Sequence, residues 1–212
     1  MKNLLKFTVI MLLWTGICTT KSWCRDHNNT VSFTKNDTMF LLASNGKTLP
    51  ILVDVNPDKG IERAINDLRN DFELVTQTKP ELIRQLPASG NLIFAGEIGK
   101  SHFIDVLVQS KKIDVTSLRG KRERYMIQTV LNPFDGVDEA LIIVGSDKRG
   151  TIYGIYELSE QIGVSPWYWW ADVPVKKYEN ISIKRGTYEN QEPAVTYRGI
   201  FINDEAPAYQ GW

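Results

Sequence analysis

Cysteine is almost absent from this chain of 212 residues, which contains two, Cys18 and Cys24. Both lie in or beside an apolar N-terminal segment, so a domain that follows this segment has no internal disulfide and no cysteine-based metal site. Histidine is equally rare, and His27 and His102 are isolated from other residues that ligate metals. We therefore predict that the protein uses neither a metal nor another cofactor.

An excess of charge of one sign is also missing, because 25 Lys and Arg residues balance 25 Asp and Glu residues. A protein that binds a nucleic-acid backbone needs a basic face, so the composition gives no support to nucleic-acid binding. Hydrophobic residues make up 42% of the chain and charged residues 24%. This is the composition of an ordinary globular protein that can bury a core.

Long hydrophobic runs are missing as well. Lys2 and Lys6 precede an uncharged run of 12 residues at 7–18. This run is too short for a membrane span of about 20 residues. Such a run fits the core of a signal peptide, which we place at residues 1–24. We expect export to the periplasm or the medium, with no membrane span. No lipoprotein anchor is expected, because the residues before Cys18 are a poor lipidation context. An exported domain without disulfides fits a bacterial protein better than a secreted eukaryotic one.

Short apolar segments alternate with amphipathic ones through most of the chain. The pattern predicts strands at 40–43, 49–55, 91–95, 125–131 and 140–144, with a hairpin turn at Asn45-Gly46. It predicts helices from Asn56 or Asp58 to about 78, from 102 to 109 and from 148 to 162. Buried strands that alternate with helices are typical of an α/β domain whose sheet is covered by helices.

The domain organisation follows from this alternation. Residues 25–39 are interpreted as a polar lead-in and 40–190 as the α/β domain, within which residues 173–190 are expected to form an exposed edge hairpin. After Pro193 an apolar segment predicts a new strand at 193–202, which opens a different unit at 191–212.

One glycine-containing turn invites comparison with a phosphate-binding loop. Residues 95–101 (AGEIGKS) follow a strand and open a helix. A phosphate loop needs a glycine five residues before the second glycine, so that backbone amides can surround the phosphate. Phe94 occupies that position and Gly96 lies only three before Gly99, so we interpret the segment as a strand-to-helix turn.

A second glycine-containing segment, residues 145–158, runs from a strand through a polar turn into a helix. Gly150 and Gly154 leave one helix face flat, which lets a sheet or a neighbouring domain approach closely. Packing explains most of these residues. Arg149 is the least easily explained by packing and could instead reach a carboxylate across a domain interface.

Trp167, Trp169 and Trp170 form an aromatic cluster within four residues. Aromatic faces can stack on sugar rings, but they also bury large areas between domains. Composition alone favours interdomain packing, and stacking on sugar remains the alternative.

Asn203, Asp204 and Glu205 directly follow the predicted strand at 193–202. In barrels of parallel strands the C-terminal strand ends face the active site, where acids and amides can bind sugar hydroxyls or assist proton transfer. Neighbouring strand residues point to opposite sides, so Asp204 and Glu205 are not expected to act as a pair. A helix cap before Pro207 is the alternative.

Two long segments carry a family resemblance. Residues 145–175 (GSDKRGTIYGIYELSEQIGVSPWYWWADVPV) and 192–208 (EPAVTYRGIFINDEAPA), with Gly211-Trp212, closely resemble glycoside hydrolase family 115. The known members of that family are xylan α-glucuronidases. The resemblance is strongest from about 141 to 212 and looser from 40 to 131. Its Arg-Gly-Thr-x-Tyr-Gly segment is also similar to the non-catalytic domain before the barrel of families 20 and 67.

The resemblance implies an architecture and a reaction. The α/β domain would precede a (β/α)₈ catalytic barrel, of which residues 191–212 are the truncated start and 197–203 the first strand. The implied reaction is the inverting removal of glucuronic acid or its 4-O-methyl ether from xylan side chains. In that reaction one carboxylic acid protonates the leaving oxygen while a second carboxylate, about 6.5–9.5 Å away, activates water.

Transferred to this sequence, the resemblance makes Asp204 the candidate active-site residue, which binds sugar hydroxyls or assists catalysis. Asn203 and Glu205 are candidate substrate-binding residues, and Trp169 and Trp170 are candidates for the pocket wall. The main acid and base would come from later strands, so the chain alone is expected to lack turnover. The expected partner is glucuronoxylan or its oligosaccharides, and a homodimer of the full-length protein is left open. A non-catalytic polysaccharide-binding or structural module is the alternative function.

Overall fold

The computed structural model describes residues 30–36 and 38–199, which form a mixed α/β domain with two sheets. The strands are β1 (Val31–Ser32), β2 (Phe40–Ser44), β3 (Lys47–Thr48), β4 (Ile51–Leu52), β5 (Leu82–Ile83), β6 (Asn91–Glu97), β7 (Tyr125–Leu131), β8 (Glu139–Gly145), β9 (Ile181–Ile183) and β10 (Thr187–Glu189). The helices are α1 (Lys59–Thr76), α2 (His102–Gln109), α3 (Lys148–Gln161) and the short α4 (Tyr168–Ala171). The α/β class predicted from the alternation of strands and helices is confirmed.

The larger sheet has six strands in the order β10-β7-β8-β6-β4-β5. Strands β5, β4, β6 and β8 are parallel, whereas β7 and β10 are antiparallel to their neighbours. Every residue of β8 is buried, because helices and loops cover both faces of the sheet. Parallel strands with both faces covered are expected to be apolar without interruption, which explains the runs at 91–95 and 140–144.

The two faces of the larger sheet belong to separate cores. Ile93 and Ile143 face a core shared with α1, α3 and the smaller sheet. Phe94 and Ile142 face a second core closed by α2 and by the turns around 113–118. Each large apolar side chain that is fully removed from water contributes about 1.5–3 kcal/mol, so both faces stabilise the sheet.

Helix α1 follows the prediction closely. Asp58 is its N-cap, and its side chain accepts a hydrogen bond from the backbone N–H of Gly60. The buried residues of α1 are those of the predicted apolar stripe, Ile61, Ala64, Ile65, Leu68, Phe72 and Val75. The helix ends at Gln77, whose φ of 62° is left-handed. Helices α1 and α3 lie side by side on the same face of the larger sheet.

The strand predicted at 49–55 is wrong in its extent. Strand β2 does turn back at Asn45-Gly46 into β3, as predicted, but the antiparallel ladder ends there. Pro50 has no N–H to continue it, and its carbonyl instead accepts a hydrogen bond from Ile93 N of the larger sheet. The chain therefore changes sheets at Pro50, and Ile51–Leu52 becomes β4.

The exposed edge hairpin predicted at 173–190 is also wrong. Strand β9 is fully buried and lies inside the smaller sheet, whose order is β1-β9-β2-β3, whereas β10 is the edge strand of the larger sheet. The outer partner of β9 is β1, which lies in the segment interpreted as a polar lead-in. Since β1 has two residues, composition alone did not reveal it.

The predicted strand at 193–202 is described as far as Gly199, and residues 193–199 have no strand structure. The strand prediction is therefore wrong for 193–199, and the first barrel strand predicted at 197–203 stays a prediction for residues 200–203, which lie outside the described residues. Within residues 30–36 and 38–199, no helix is long and apolar enough to cross a membrane.

Candidate functional site

The predicted substrate pocket falls largely beyond the described residues. Asn203, Asp204 and Glu205 lie outside them. Trp169 and Trp170 belong to α4, but their side chains also lie outside the described part. Trp167, at the start of the aromatic cluster, is 60% exposed. Residues 190–199, here called the exit segment, directly precede the segment that carries the candidate pocket residues, and they contact the loop before β7.

The polar turn before α3 is built around Asp147. One carboxylate oxygen of Asp147 accepts from the N–H of Gly150 at 2.7 Å, which caps the helix. The other oxygen accepts from the N–H of Glu123 at 2.9 Å. A Cβ added to Gly150 would lie 2.2 Å from the carbonyl oxygen of Arg124. The loop before β7 thus contacts the start of α3 directly, which requires a glycine there.

Gly154 supports the same close approach one turn later. A Cβ at this position would lie 2.7 Å from Cγ2 of Ile143 and 3.1 Å from Cβ of Tyr125. The flat helix face predicted from Gly150 and Gly154 is therefore confirmed, and it packs on β7 and β8 within the domain.

Arg149 reaches a carboxylate, but not across a domain interface. Its Nη1 lies 3.0 Å from Oε1 of Glu123, in the loop before β7 of the same domain. Its Nη2 donates to the hydroxyl of Tyr153 at 2.9 Å. The hydrogen bond to Tyr153 and the charge of Glu123 raise the pKa of Arg149. The alternative to packing therefore holds as far as the carboxylate, but that carboxylate belongs to the same domain. The partner lies 26 positions earlier in the chain, and no local pattern links the two residues.

Glu123 is the residue at this face that sequence reasoning missed. It is 7% exposed and adopts a left-handed backbone conformation with φ of 57°. Its carboxylate binds Arg149 and also Arg198 of the exit segment. A buried carboxylate needs such partners. The one sequence signal was a glutamate within the basic run 121–124 (KRER).

A cleft of about 1050 Å³ lies beside Glu123, Arg149 and Arg198, between α1, α3 and the exit segment. Its acidic lining residues are Asp67, Asp71, Glu73, Glu157 and Glu160, its basic ones are Arg63 and Arg198, and its tyrosines are Tyr125, Tyr153, Tyr156 and Tyr168. Tyr156 donates to Oδ2 of Asp67 at 2.7 Å, which connects α3 to α1. Burial and this bond raise the pKa of Tyr156 to about 12. Burial also raises the pKa of Asp71.

Comparison with known proteins identifies the family. A solved structure of a family GH115 4-O-methyl-α-glucuronidase, BtGH115A, with specificity for decorated arabinogalactans, is similar to this chain with a TM-score of 0.64. The two share 33% sequence identity, and the match covers 79% of this chain and 20% of that one. The chain belongs to glycoside hydrolase family 115. It spans about a fifth of the length of that relative.

The other comparisons add little to this assignment. No protein-family model and no curated protein matches the chain. The structure of CpGH84D matches with a TM-score of 0.39 and 6% identity, over 73% of this chain and 22% of that one. That likeness is too low to carry an argument.

In this family 115 chain the 95–101 segment is a strand-to-helix turn, as predicted. Ser101 caps α2 by accepting from the N–H of Ile104 at 3.3 Å. The N–H of Gly99 is bonded to a carboxylate oxygen of Asp105 at 3.2 Å, so an acidic side chain occupies the place of an anion. A Cβ on Gly96 would lie 2.7 Å from the side chains of Ile104 and Ser101, which shows that this glycine serves packing.

The cleft of the family 115 chain offers binding chemistry. Carboxylates accept from hydroxyl groups, and tyrosines combine an aromatic face with a polar end. Within the described part of the chain, no group of three or more His, Cys, Asp or Glu residues is arranged to hold a metal ion.

Proposed function

We propose that the chain is the N-terminal part of an exported glycoside hydrolase that removes glucuronic acid or 4-O-methylglucuronic acid from polysaccharide side chains by inverting hydrolysis. The observation that carries the proposal is the 33% identity to a 4-O-methyl-α-glucuronidase over 79% of this chain. The family resemblance of residues 192–208, which include the candidate pocket residues, supports it.

In the proposed mechanism Asp204 binds the hydroxyl groups of the glucuronosyl residue or assists catalysis, and Asn203 and Glu205 complete that part of the pocket. A carboxylic acid from a later strand protonates the glycosidic oxygen. A second carboxylate removes a proton from water, which attacks the anomeric carbon from the opposite face. The α/β domain described above positions the strand that carries Asp204. Trp169 and Trp170 contribute a pocket wall or packing between domains.

The substrate class is a polysaccharide with terminal glucuronosyl side chains, and two backbones are in question. The known family members favour glucuronoxylan, whereas BtGH115A has specificity for decorated arabinogalactans. Because the chain is similar to that enzyme, both polysaccharides should be offered to the full-length protein. Release of glucuronic acid or its 4-O-methyl ether, measured by anion-exchange chromatography, would assign the backbone. No release from either polysaccharide or from aldouronic acids would contradict the proposal.

The stereochemistry can be tested separately. An inverting enzyme converts an α-glucuronoside first into β-glucuronic acid, which ¹H NMR distinguishes before the anomers equilibrate. Initial formation of the α-anomer would show retention, and the mechanism with two separated carboxylates would then be wrong.

A second candidate function is non-catalytic polysaccharide binding, which the tyrosines and carboxylates of the cleft favour. It predicts that the chain retains affinity for glucuronoxylan without any turnover. Titration calorimetry with soluble glucuronoxylan would test it, and Tyr153→Ala and Trp169→Ala would distinguish binding in the cleft from binding at the aromatic cluster. A structural module predicts no sugar affinity for any of these proteins.

A further inference from the structure

Four consecutive residues of one loop contact the exit segment. The loop is Lys121–Arg124, before β7, and its partners in the exit segment lie 66–75 positions later in the chain. Nε of Arg122 lies 3.2 Å and Nζ of Lys121 3.6 Å from the carboxylate of Glu192. Arg122 also donates to the hydroxyl of Thr196. The first half of the loop therefore binds the middle of the exit segment.

The second half of the loop binds both ends of the exit segment. At the start of the segment, Nε of Arg124 donates to the carbonyl oxygen of Asn190 at 3.0 Å. The side chain of Asn190 accepts from the N–H of Tyr125 at 2.7 Å and donates to the carbonyl of Glu123 at 3.0 Å. At the end of the described segment, Arg198 donates to the carboxylate of Glu123. The exit segment is thus held along its length without strand pairing to this loop.

These contacts differ in strength. Lys121, Arg122 and Glu192 have side chains that are 31–51% exposed, and exposed ion pairs contribute little. The Glu123 side chain is 9% exposed, and Arg149 holds the same carboxylate. The backbone N–H of Glu123 donates to the carboxylate of Asp147. Residues at the start of α3 thus hold Glu123 in place independently of Arg198. Because its carboxylate is buried and charged, we expect its hydrogen bond with Arg198 to be the strongest of these contacts.

We propose that the 121–124 loop anchors the exit segment and that Glu123, through Arg198, is a positioning residue for the candidate pocket residues Asn203–Glu205. Arg198 lies five residues before Asn203, and an extended chain spans at most about 3.6 Å per residue. Five residues of extended chain span at most roughly 18 Å between the Cα atoms of their ends, so a change in the position of Arg198 would pass to Asn203 through a short connection. The positioning role rests on the proposed function, whereas the anchoring itself does not.

Limited proteolysis of the native full-length protein tests the anchoring. Trypsin cleaves after arginine, and the guanidinium of Arg198 must leave Glu123 to enter the protease. We expect Glu123→Gln to accelerate cleavage of the Arg198–Gly199 bond by about tenfold, the ratio for loss of one charge-assisted hydrogen bond. Mass spectrometry of the products measures that rate.

Two matched variants serve as controls. Glu81→Gln removes an exposed glutamate beside β5, at the opposite edge of the larger sheet, and should leave the rate unchanged. Arg149→Gln removes the other partner of Glu123 but leaves Arg198 paired and the backbone of Glu123 held by Asp147, so it should accelerate cleavage much less than Glu123→Gln does. Equal cleavage in wild type and Glu123→Gln overturns the proposal, and so does equal acceleration by Arg149→Gln, which would indicate general loosening.

If Glu123→Gln does not fold, the surface variant Arg198→Gln replaces it. Tyr197 is 92% exposed, and chymotrypsin should cleave after it about tenfold faster once the anchor at residue 198 is lost. An unchanged rate overturns the proposal.

Measurements of enzyme activity distinguish the positioning role of Glu123 from the proposed function of the protein. With the full-length enzyme and aldouronic acids, Glu123→Gln should lower kcat/KM by about tenfold, whereas Glu81→Gln should not change it. An active wild type with faster cleavage but unchanged kcat/KM in Glu123→Gln overturns the positioning role. A wild type that releases no glucuronic acid, together with the expected cleavage pattern, refutes the proposed function and supports the anchor.

Discussion

Gly150 lies where an added methyl group would meet backbone rather than a movable side chain. The clash is with the carbonyl of Arg124, 2.2 Å from the added Cβ, and overpacking of this kind costs up to about 3 kcal/mol. Alanine would gain about 1 kcal/mol in helix propensity over glycine. We therefore expect Gly150→Ala to lower the free energy of unfolding by about 2 kcal/mol, as measured by urea denaturation.

Gly199→Ala is the matched control for this prediction. Among the described residues, an added Cβ at Gly199 meets nothing within 4 Å, so the stability of Gly199→Ala should change by less than about 0.5 kcal/mol. A Gly150→Ala variant as stable as wild type would show that the loop before β7 can move away from α3.

The buried Glu139 and the partly exposed Arg185 form an ion pair between the start of β8 and the turn between β9 and β10. Nε of Arg185 lies 2.8 Å from one carboxylate oxygen of Glu139, and Nη2 lies 2.9 Å from the other. Arg185 also donates to the carbonyl of Thr38 at 2.8 Å. The pair therefore joins the two sheets. Glu139→Gln should lower the free energy of unfolding by about 2 kcal/mol, less than for a fully buried pair because Arg185 is partly exposed.

An exposed pair provides the comparison. Lys79 and Glu73 lie 3.2 Å apart with side chains 40% and 51% exposed, and such pairs contribute about 0–1 kcal/mol. Chemical denaturation of Glu73→Gln should therefore show little change. Equal losses in the two variants would mean that burial of Glu139 adds nothing.

At the scale of the elements, sequence reasoning worked where one element carries its own pattern. The apolar stripe and the Asp58 cap of α1 and the continuous apolar runs of β6 and β8 are local signals. It failed where an element depends on a distant partner. The two-residue strand β1 is ordered by pairing with β9, about 150 positions later. A pattern of two residues cannot predict such pairing, because the partner strand that stabilises it lies elsewhere in the chain.

The contact of α1 with α3 leads to a prediction about pH. Burial, together with the neighbouring Asp67, raises the pKa of Asp71 in the folded protein. Because the folded state then binds this proton more tightly than the unfolded state does, the contribution of Asp71 to stability is lost as pH rises through the raised pKa. We expect Asp71→Asn to become more stable relative to wild type as pH rises from about 4 to 7.

The pKa of Asp114 is shifted in the direction opposite to that of Asp71, so Asp114 serves as the control. Hydrogen bonds from Thr116 lower its pKa, so its contribution is present at neutral pH and is lost as pH falls through the lowered pKa. Asp114→Asn should therefore lose stability relative to wild type at pH 7, in thermal unfolding curves recorded across the same range. A difference between Asp71→Asn and wild type that does not vary with pH would contradict the assignment for Asp71.

For the molecule as a whole, the family could be predicted from two long segments, and the identity to BtGH115A shows it. Glu123 could not be predicted, since its role depends on Arg149 and Arg198, which lie 26 and 75 positions later in the chain. The predicted pocket residues Asn203–Glu205 lie outside the described residues and stay predictions.

Asp204 is the residue on which the proposed activity can be tested most directly. If it binds a sugar hydroxyl in the transition state, Asp204→Asn should lower kcat/KM of the full-length enzyme by about 10- to 100-fold, as expected for loss of a charge-assisted hydrogen bond. Glu205→Gln should lose less, because adjacent strand residues point to opposite sides. Asp138→Asn, at an exposed position before β8, should change nothing. Glucuronic acid release from aldouronic acids measures all three. If Glu205→Gln lost more activity than Asp204→Asn, the strand would face the pocket with its other side, and Glu205 would replace Asp204 as the active-site residue.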